Sequence, residues 1–369
     1  MGRLKTIKLL ILKVSFNLIY QCFYYLSGPR KQQITFATMR STQLNDNLKA
    51  LYAEYQLAGH SNLVTFCYHY DRSFKSKVGF LWASLRALRY MATSRLFIID
   101  DYFFPLYAIN KHDQNQVVQL WHAIGALKKF GLSLPNANRS ILKPHTNYDW
   151  VFVNTENDRP FYVDAFDVTT DQVIASGEPM LDEMVKETTQ SQTSERPILL
   201  YAPTYRPAVH GEEQVLALVQ AFIEASPQLQ QSWEIYISVH PYVNLPSFKL
   251  PRHVHVFQDP DRIKALLPQS KLLITDYSSL SLNFSYFERP ILLFTPDYQA
   301  YQRNCGFYVD YYSYLGAPHF SELASLMTFI NHDLTNLNLD YVKRLKAKTF
   351  PRLDGRNTQR VYQFLTHLD

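Results

Sequence analysis

Short apolar segments alternate with helical segments along almost the whole chain, and this alternation restricts the fold more than any other feature. Most of the short segments are apolar at every position, which is typical of parallel strands buried on both faces. Strands that alternate with helices indicate doubly wound α/β domains. Strands are predicted at 34–38, 63–68, 95–99, 117–121, 150–154, 173–175, 198–202, 234–239, 253–257, 271–275 and 291–294. Helices are predicted at 44–57, 80–92, 212–224, 261–267, 279–287, 321–331 and 357–368.

The length of the chain and one polar segment predict two domains. The chain has 369 residues, of which 47% are hydrophobic, enough for two buried cores. Segment 183–196 has no apolar period and is the candidate linker. We therefore expect an N-terminal helix at 1–31 and Rossmann-like domains at 32–190 and 191–369, facing a cleft. In such sheets ligands bind beyond the carboxyl ends of the strands. Neither GxGxxG nor GxxxxGK[ST] occurs, so a standard dinucleotide fold or P-loop is not supported.

The first thirty residues combine basic side chains with aliphatic and aromatic ones. Lys13, Asn17 and Gln21 recur every four residues, which places them along one face of a helix. The pattern favours an amphipathic helix in a membrane interface, with lysines attracted to anionic lipid. A helix packed on the protein itself and a membrane-spanning helix are the alternatives. No small-residue cleavage site follows, which argues against a secretory signal.

Charge and cysteine content exclude several classes of protein. The net charge is +5, which suits anionic lipid or a phosphate-rich substrate, but no nucleic-acid-binding module is recognisable. The chain has three cysteines, which lie far apart and do not form CxxC pairs. Neither a disulfide framework nor a zinc site is therefore predicted. A reducing cytosolic compartment fits this usage. No acidic cluster predicts an essential metal, and no cofactor is expected.

Two histidines follow predicted strands, one in each half of the chain. His122 directly follows the strand at 117–121 and precedes Gly125 and Lys128, whose side chain is long enough to reach a phosphate. His240 ends the strand at 234–239 and precedes Pro241. Histidine is the side chain best suited to proton transfer near neutral pH. A structural histidine is the alternative for each, but the pairing favours a shared anion site.

Two further strand ends carry groups that suit phosphate. Thr204 and Arg206 follow the strand at 198–202, and arginine offers a planar fork of donors. The strand at 271–275 leads into Asp-Tyr-Ser-Ser, where Ser278 or Ser279 would cap a helix whose N-terminus suits an anion. A surface arginine and plain capping are the alternatives. The candidate donor-binding residues are Lys128, Thr204, Arg206, Asp276, Ser278, Ser279 and Glu288.

Together these motifs resemble the CDP-glycerol glycerophosphotransferase family of wall teichoic acid synthesis, over residues 33–320. The motifs are WHAIGALKKFG at 121–131, YAPTYR at 201–206, SVHP at 238–241, TDYSSLSLNFSYFERPILLFTPD at 275–297 and YQRNCGFYVDYYSYLGAP at 301–318. The resemblance implies a GT-B-type architecture of two Rossmann-like domains, with His122 and His240 as catalytic residues. It also implies CDP-glycerol as donor, a lipid-linked acceptor and a place at the cytoplasmic face of the plasma membrane.

The chain departs from the family pattern at several positions. Ala123 replaces a usual glycine, Ala126 a usual proline, Met180 a usual arginine, and Asn283 a usual acidic residue. These departures leave donor and acceptor open. CDP-ribitol is the first alternative donor; a GT-B glycosyltransferase or epimerase and an inactive membrane scaffold are the others.

Overall fold

The structure is a computed structural model that describes residues 3–28, 30–69, 74–135, 137, 141–187, 196–206 and 210–368. It divides into two compact units, one formed by Met1–Lys186 with Arg352–Asp369, the other by Glu187–Pro351. Most of the candidate linker, residues 188–195, lies outside the described residues. Each unit is built around its own parallel sheet.

The first unit contains a sheet whose order in the described residues is β2-β1-β3-β4-β5-β6, with every neighbouring pair parallel. Ile34, Phe36, Leu96, Ile98 and Val118 are buried in the core beside it, as expected for strands covered on both faces. The elements in chain order are α1 (Arg3–Ser27), β1 (Arg30–Thr38), α2 (Asp46–Leu57), β2 (Leu63–Cys67), α3 (Phe74–Thr93), β3 (Ser94–Ile99), β4 (Gln116–Gln119), β5 (Trp150–Val153), α4 (Arg159–Phe166), β6 (Val173–Ala175) and α5 (Leu181–Glu187).

The second unit repeats this architecture. Its sheet has the order β12-β11-β10-β7-β8-β9 in the described residues, again with parallel neighbours. The elements are β7 (Ile198–Ala202), α6 (Gly211–Ala225), β8 (Glu234–Ser238), β9 (Val254–Phe257), α7 (Pro260–Leu266), β10 (Ser270–Thr275), α8 (Leu280–Ser285), β11 (Ile291–Phe294), α9 (Tyr298–Asn304), α10 (Tyr311–Leu315), β12 (His319–Phe320), α11 (Leu323–His332) and α12 (Asp340–Thr349).

The last helix, α13 (Asn357–Thr366), returns to the first unit. Its Val361 and Leu365 are fully buried in the same core as Leu48 and Leu51 of α2. The sequence analysis placed this helix in the domain at 191–369, because a sequence pattern does not show which core a terminal apolar face will join.

The prediction of an α/β fold with parallel sheets is confirmed. Every predicted strand has an observed counterpart. β12 was not predicted because it is only two residues long. The helices α4, α5, α9, α10 and α12 were also not predicted; the first four have only five to eight residues, too few to show a clear apolar period.

Helix α1 exposes one apolar side and packs on the protein with a mixed side, where Phe16 and Tyr20 are buried beside polar residues. Ile7, Ile11, Val14 and Leu18 are 51–60% exposed. On another side of the helix, Asn17 accepts a hydrogen bond at 2.8 Å from the Asn110 amide. The other polar contacts are Lys13 Nζ to the Ile141 carbonyl, Gln21 to Asn110 and His112, and the Tyr20 hydroxyl to Asn115. The segment Thr6–Ser27 is long and apolar enough to cross a membrane, judged by length and composition.

Candidate active site

The loop that carries His122 begins with a sharp backbone turn. β4 ends at Gln119, two residues earlier than predicted, and Trp121 has a φ of 56°. This left-handed conformation is unfavourable for a bulky residue. The Gln119 side chain stabilises it, because its Oε1 accepts from the Trp121 amide at 2.9 Å and its Nε2 donates to the Asp101 carbonyl at 3.2 Å. The turn presents His122 at the carboxyl edge of the sheet.

The imidazole of His122 is held in one orientation. Its Nδ1 lies 3.2 Å from the carbonyl oxygen of Asp100 and 3.7 Å from Oδ2 of Asp101. Because a carbonyl oxygen only accepts, Nδ1 carries the hydrogen and Nε2 keeps its lone pair. Burial lowers the pKa of His122, and the nearby Asp101 carboxylate opposes that effect. A neutral ring with a free Nε2 is the form that a general base requires.

The side chains of Asp100 and Asp101, which lie beside His122, are both near the guanidinium of Arg40. Arg40 Nε lies 3.2 Å from Asp101 and Arg40 Nη1 3.9 Å from Asp100. Asp100 is 5% exposed, and burial raises its pKa to about 7 despite the Arg40 charge. The sequence analysis missed these residues. The signal was present, because Asp100 and Asp101 directly follow the predicted strand at 95–99.

Lys128 lies half-buried in the loop after His122. Gly125, at φ 67°, provides the predicted turn. The Tyr162 hydroxyl fixes the loop by contacting the carbonyls of Ala123 and Gly125 at 3.3 and 3.4 Å. The phosphate-binding role of Lys128 stays a prediction.

In the second unit, the Arg206 side chain is 3% exposed and fully engaged by protein groups. Its Nε and Nη2 donate to the two carboxylate oxygens of Asp297 at 2.8 and 3.0 Å, and its Nη1 donates to Asp276 at 2.7 Å. The guanidinium also lies over the rings of Tyr277 and Tyr301, at 4.9 and 5.3 Å. The structure therefore shows an arginine that joins three strand ends, whereas the sequence analysis expected its donors to face phosphate.

Asp276 has the same internal character. It is 1% exposed, and its carboxylate accepts from the Thr204 amide at 2.8 Å and from the Tyr277 amide at 2.6 Å, as well as from Arg206. The Thr204 hydroxyl oxygen has no hydrogen-bond partner among the described residues. Asp276 thus joins the loop after β7 to the loop after β10 through these hydrogen bonds.

The serines of the Asp-Tyr-Ser-Ser turn differ from each other. Ser278 Oγ accepts from the Leu280 amide at 3.2 Å, at the start of α8. Ser279 is the residue before the helix, but its side chain makes no capping bond. Both are half-buried at the carboxyl edge of the sheet.

His240 is exposed after β8 and forms a cluster with two tyrosine rings. The centroids of Tyr205 and Tyr242 are 5.4 and 4.7 Å from that of the imidazole. Its Nδ1 accepts from the Tyr242 amide at 3.1 Å, so a neutral ring carries its hydrogen at Nε2. A neutral His240 therefore carries its hydrogen at Nε2, whereas a neutral His122 carries it at Nδ1.

Glu288 lies away from the Asp276 turn. It lies in the segment between α8 and β11, and its carboxylate pairs with Lys346 at 2.7 Å. Because β10 and β11 are parallel, the start of β11 lies at the opposite edge of the sheet from the end of β10. The structure does not bring Glu288 together with the other candidate residues.

Known proteins give an independent comparison. The family model described as CDP-Glycerol:Poly(glycerophosphate) glycerophosphotransferase matches residues 18–367. The teichoic acid ribitol-phosphate primase of Bacillus spizizenii is 27% identical, over 98% of this chain and 98% of its own. The teichoic acid glycerol-phosphate primase of Bacillus subtilis is 26% identical, over 87% of this chain and 89% of its own.

Solved structures agree on the fold. The wall teichoic acid polymerase TagF has a TM-score of 0.72 at 16% identity, over 100% of this chain and 98% of that chain. A UDP-GlcNAc 2-epimerase from Neisseria meningitidis follows at a TM-score of 0.52, with 14% identity over 92% of this chain and 100% of that chain. The match of the family model over nearly the whole chain places this protein in the CDP-glycerol:poly(glycerophosphate) glycerophosphotransferase family.

Proposed function

We propose that this enzyme transfers glycerol phosphate from CDP-glycerol to a hydroxyl of a lipid-linked teichoic acid precursor and releases CMP. The orientation of His122 is the observation that carries the proposal. Its Nδ1–H is fixed by the Asp100 carbonyl at 3.2 Å, which leaves Nε2 to accept a proton. The same ring stands at the carboxyl edge of a parallel sheet, where ligands of such folds bind.

In the proposed reaction, the acceptor oxygen attacks the phosphorus that bears the glycerol. The new O–P bond forms as the bond to CMP breaks, the proton passes to Nε2 of His122, and CMP leaves with the bonding electron pair. Base catalysis of this kind contributes about 10²–10⁴ in rate. No covalent enzyme intermediate is needed, since phosphoryl transfer depends chiefly on positioning and charge stabilisation.

Within the second unit, the candidate donors for the phosphates are a neutral His240, whose hydrogen is at Nε2, and the turn before α8 with Ser278 and Ser279. Within the first unit, Lys128 is a candidate of the same kind. Removing one such donor costs on the order of 10²–10³ in rate. Arg206 and Asp276 have a supporting role in this proposal and do not contact the donor. Arg206 pairs with Asp276 and with Asp297, and these contacts fix the loops after β7, β10 and β11.

CDP-ribitol is the second candidate donor. The observation that favours it is the match to the ribitol-phosphate primase, which spans almost the full length of both chains. Both donors share the CDP portion, so the groups assigned above serve either. CMP release, measured side by side with CDP-glycerol and CDP-ribitol and a membrane-linked acceptor, tests the proposal. CMP from neither donor, or UDP from a nucleotide sugar, contradicts it.

We also propose that α1 rests on the cytoplasmic face of the membrane as a peripheral anchor. The support is its orientation: Ile7, Ile11, Val14 and Leu18 are exposed while the polar residues bind the protein. An exposed apolar helix face is unfavourable in water and suits the boundary between lipid headgroups and acyl chains. Binding to anionic vesicles tests this assignment.

A further inference from the structure

The backbone that carries His122 is strained and is held by a residue far away in sequence. Trp121 has a φ of 56°, and a bulky residue in this region costs of the order of 1–3 kcal/mol unless its surroundings impose it. The Asn47 side chain, from the first turn of α2, donates to the carbonyls of Leu120 and Trp121 at 3.3 and 3.2 Å. These carbonyls directly precede the catalytic histidine.

Asn47 is itself buried and fixed on its other side. It is 0% exposed, and its Oδ1 accepts from the Met180 amide at 2.9 Å. One side chain thus ties α2, the end of β4 and the loop after β6 together.

The amide of Asn47 has two hydrogens, and the two carbonyls of Leu120 and Trp121 are its acceptors. Without these two bonds the left-handed turn at Trp121 loses its support from α2.

We propose that Asn47 is a positioning residue for His122, because its side chain holds the Trp121 turn that presents the imidazole. The inference rests on the proposed role of His122 as the base. A displacement of about 1 Å at a reacting group costs on the order of 10² in rate, so a small relaxation of this turn is enough to affect catalysis.

The chain offers a matched control. Asn115 is 2% exposed, its amide donates to the carbonyls of Ala92 and Ser94, and its Oδ1 accepts from the Tyr20 hydroxyl. It has the same bonding as Asn47 but precedes β4, at the opposite edge of the sheet from His122. Asn47→Asp and Asn115→Asp each replace two donors by an acceptor.

The test compares these variants in the full-length protein. Asn47→Asp is expected to lower kcat for CMP release by about 10² with little change in KM for the CDP-polyol, and Asn115→Asp to leave kcat within threefold. Imidazole ¹⁵N NMR of His122 is expected to show loss of the single Nδ1–H tautomer only in Asn47→Asp. Wild-type kcat together with unchanged His122 signals in Asn47→Asp overturns the proposal.

The spectrum separates this inference from the proposed function, because it reports on His122 whether or not that ring is the base. Asn47→Ser keeps the proposal testable even if Asn47→Asp fails to fold, because it removes the two donated bonds without adding a buried charge. It is expected to lower kcat and to lose the single tautomer in the same way. Wild-type kcat and unchanged His122 signals in Asn47→Ser contradict the role of Asn47.

Discussion

Nδ1 of His122 lies 3.2 Å from the main-chain carbonyl oxygen of Asp100, and this contact decides which nitrogen of the ring can act as a base. The backbone cannot change protonation state, so the contact fixes the tautomer at every pH at which the ring is neutral. The Asp101 carboxylate, at 3.7 Å from the same nitrogen, then acts through charge. Orientation and basicity of His122 are thus supplied by two consecutive residues at the end of β3.

Replacing Asp101 by Asn separates these two effects. The carbonyl contact remains, but the charge that raises the pKa of His122 is lost, so the pKa falls further and the base weakens. We expect the acidic limb of the pH profile of kcat/KM to move to lower pH and the plateau to fall by about 10-fold or more. Asp171→Asn, an exposed carboxylate before β6, is the control and should leave the profile unchanged. An unshifted profile in Asp101→Asn argues against electrostatic tuning of His122.

Arg206→Met tests whether this arginine serves the fold or the donor. The substitution leaves Asp276 buried without its cation, and breaking a buried pair in this way costs about 3–5 kcal/mol. We expect a large drop in the urea midpoint of the second unit, with Arg206→Lys intermediate because an ammonium cannot make the bidentate contact to Asp297. Arg303→Met, on the exposed side of α9, should be neutral. Unchanged stability with a raised KM for the donor would instead indicate a phosphate contact.

The buried carboxyl groups predict how stability changes with pH. The pKa values of Asp100 and Glu178 are raised to about 7 and about 8, above their values in an unfolded chain. The folded state therefore binds more protons, and stability falls as pH rises from 6.5 to 8. His122 and His145, whose pKa values are lowered, affect stability only below about pH 6.5.

Thermal denaturation at pH 6.5, 7.25 and 8 measures this dependence. Glu178→Gln should remove about 1.5 kcal/mol of the pH-dependent loss between pH 6.5 and 8, since one raised pKa contributes up to about 1.4 kcal/mol per pH unit. If the wild type and the variant lose stability equally, Glu178 does not carry a proton in the folded state.

Charged residues on α1 should abolish vesicle binding without harming the fold. Ile11→Glu combined with Leu18→Glu places charges on side chains that are 60% and 59% exposed, so folding loses little while insertion into the interface becomes costly. We expect co-sedimentation with anionic vesicles to fall at least tenfold. Leu57→Glu, at an 84% exposed position outside α1, is the control and should bind like the wild type. Equal binding of all three proteins would refute the anchor.

The apolar pattern of the sequence was sufficient to predict the strands of both sheets, but it did not predict where every strand ends. The run at 198–202 predicted β7 at its observed bounds because all five residues are buried. The run at 117–121 predicted a strand that ends two residues too late, because the left-handed Trp121 interrupts it. A turn imposed by Gln119 and Asn47 depends on tertiary hydrogen bonds and leaves no local pattern.

The same limit applies to the candidate site. His122, His240 and the serine turn were found because each directly follows a predicted strand. Asp100 and Asp101 obeyed the same rule and were overlooked. The role of Arg206 was not predictable, because its bidentate partner Asp297 lies 91 positions further along the chain. Sequence spacing indicates which residues reach a sheet edge, whereas side-chain partners decide which of them remain free for a substrate.

The most direct test of the account is CMP release by His122→Ala, with CDP-glycerol and CDP-ribitol as donors and a membrane-linked acceptor. His240→Ala is measured beside it, and His332→Ala, an exposed histidine at the end of α11, is the control. We predict a loss of about 10²–10⁴ in kcat for His122→Ala, a loss of about 10²–10³ for His240→Ala, and wild-type turnover for the control. Near-wild-type rates in both His122→Ala and His240→Ala would contradict the account.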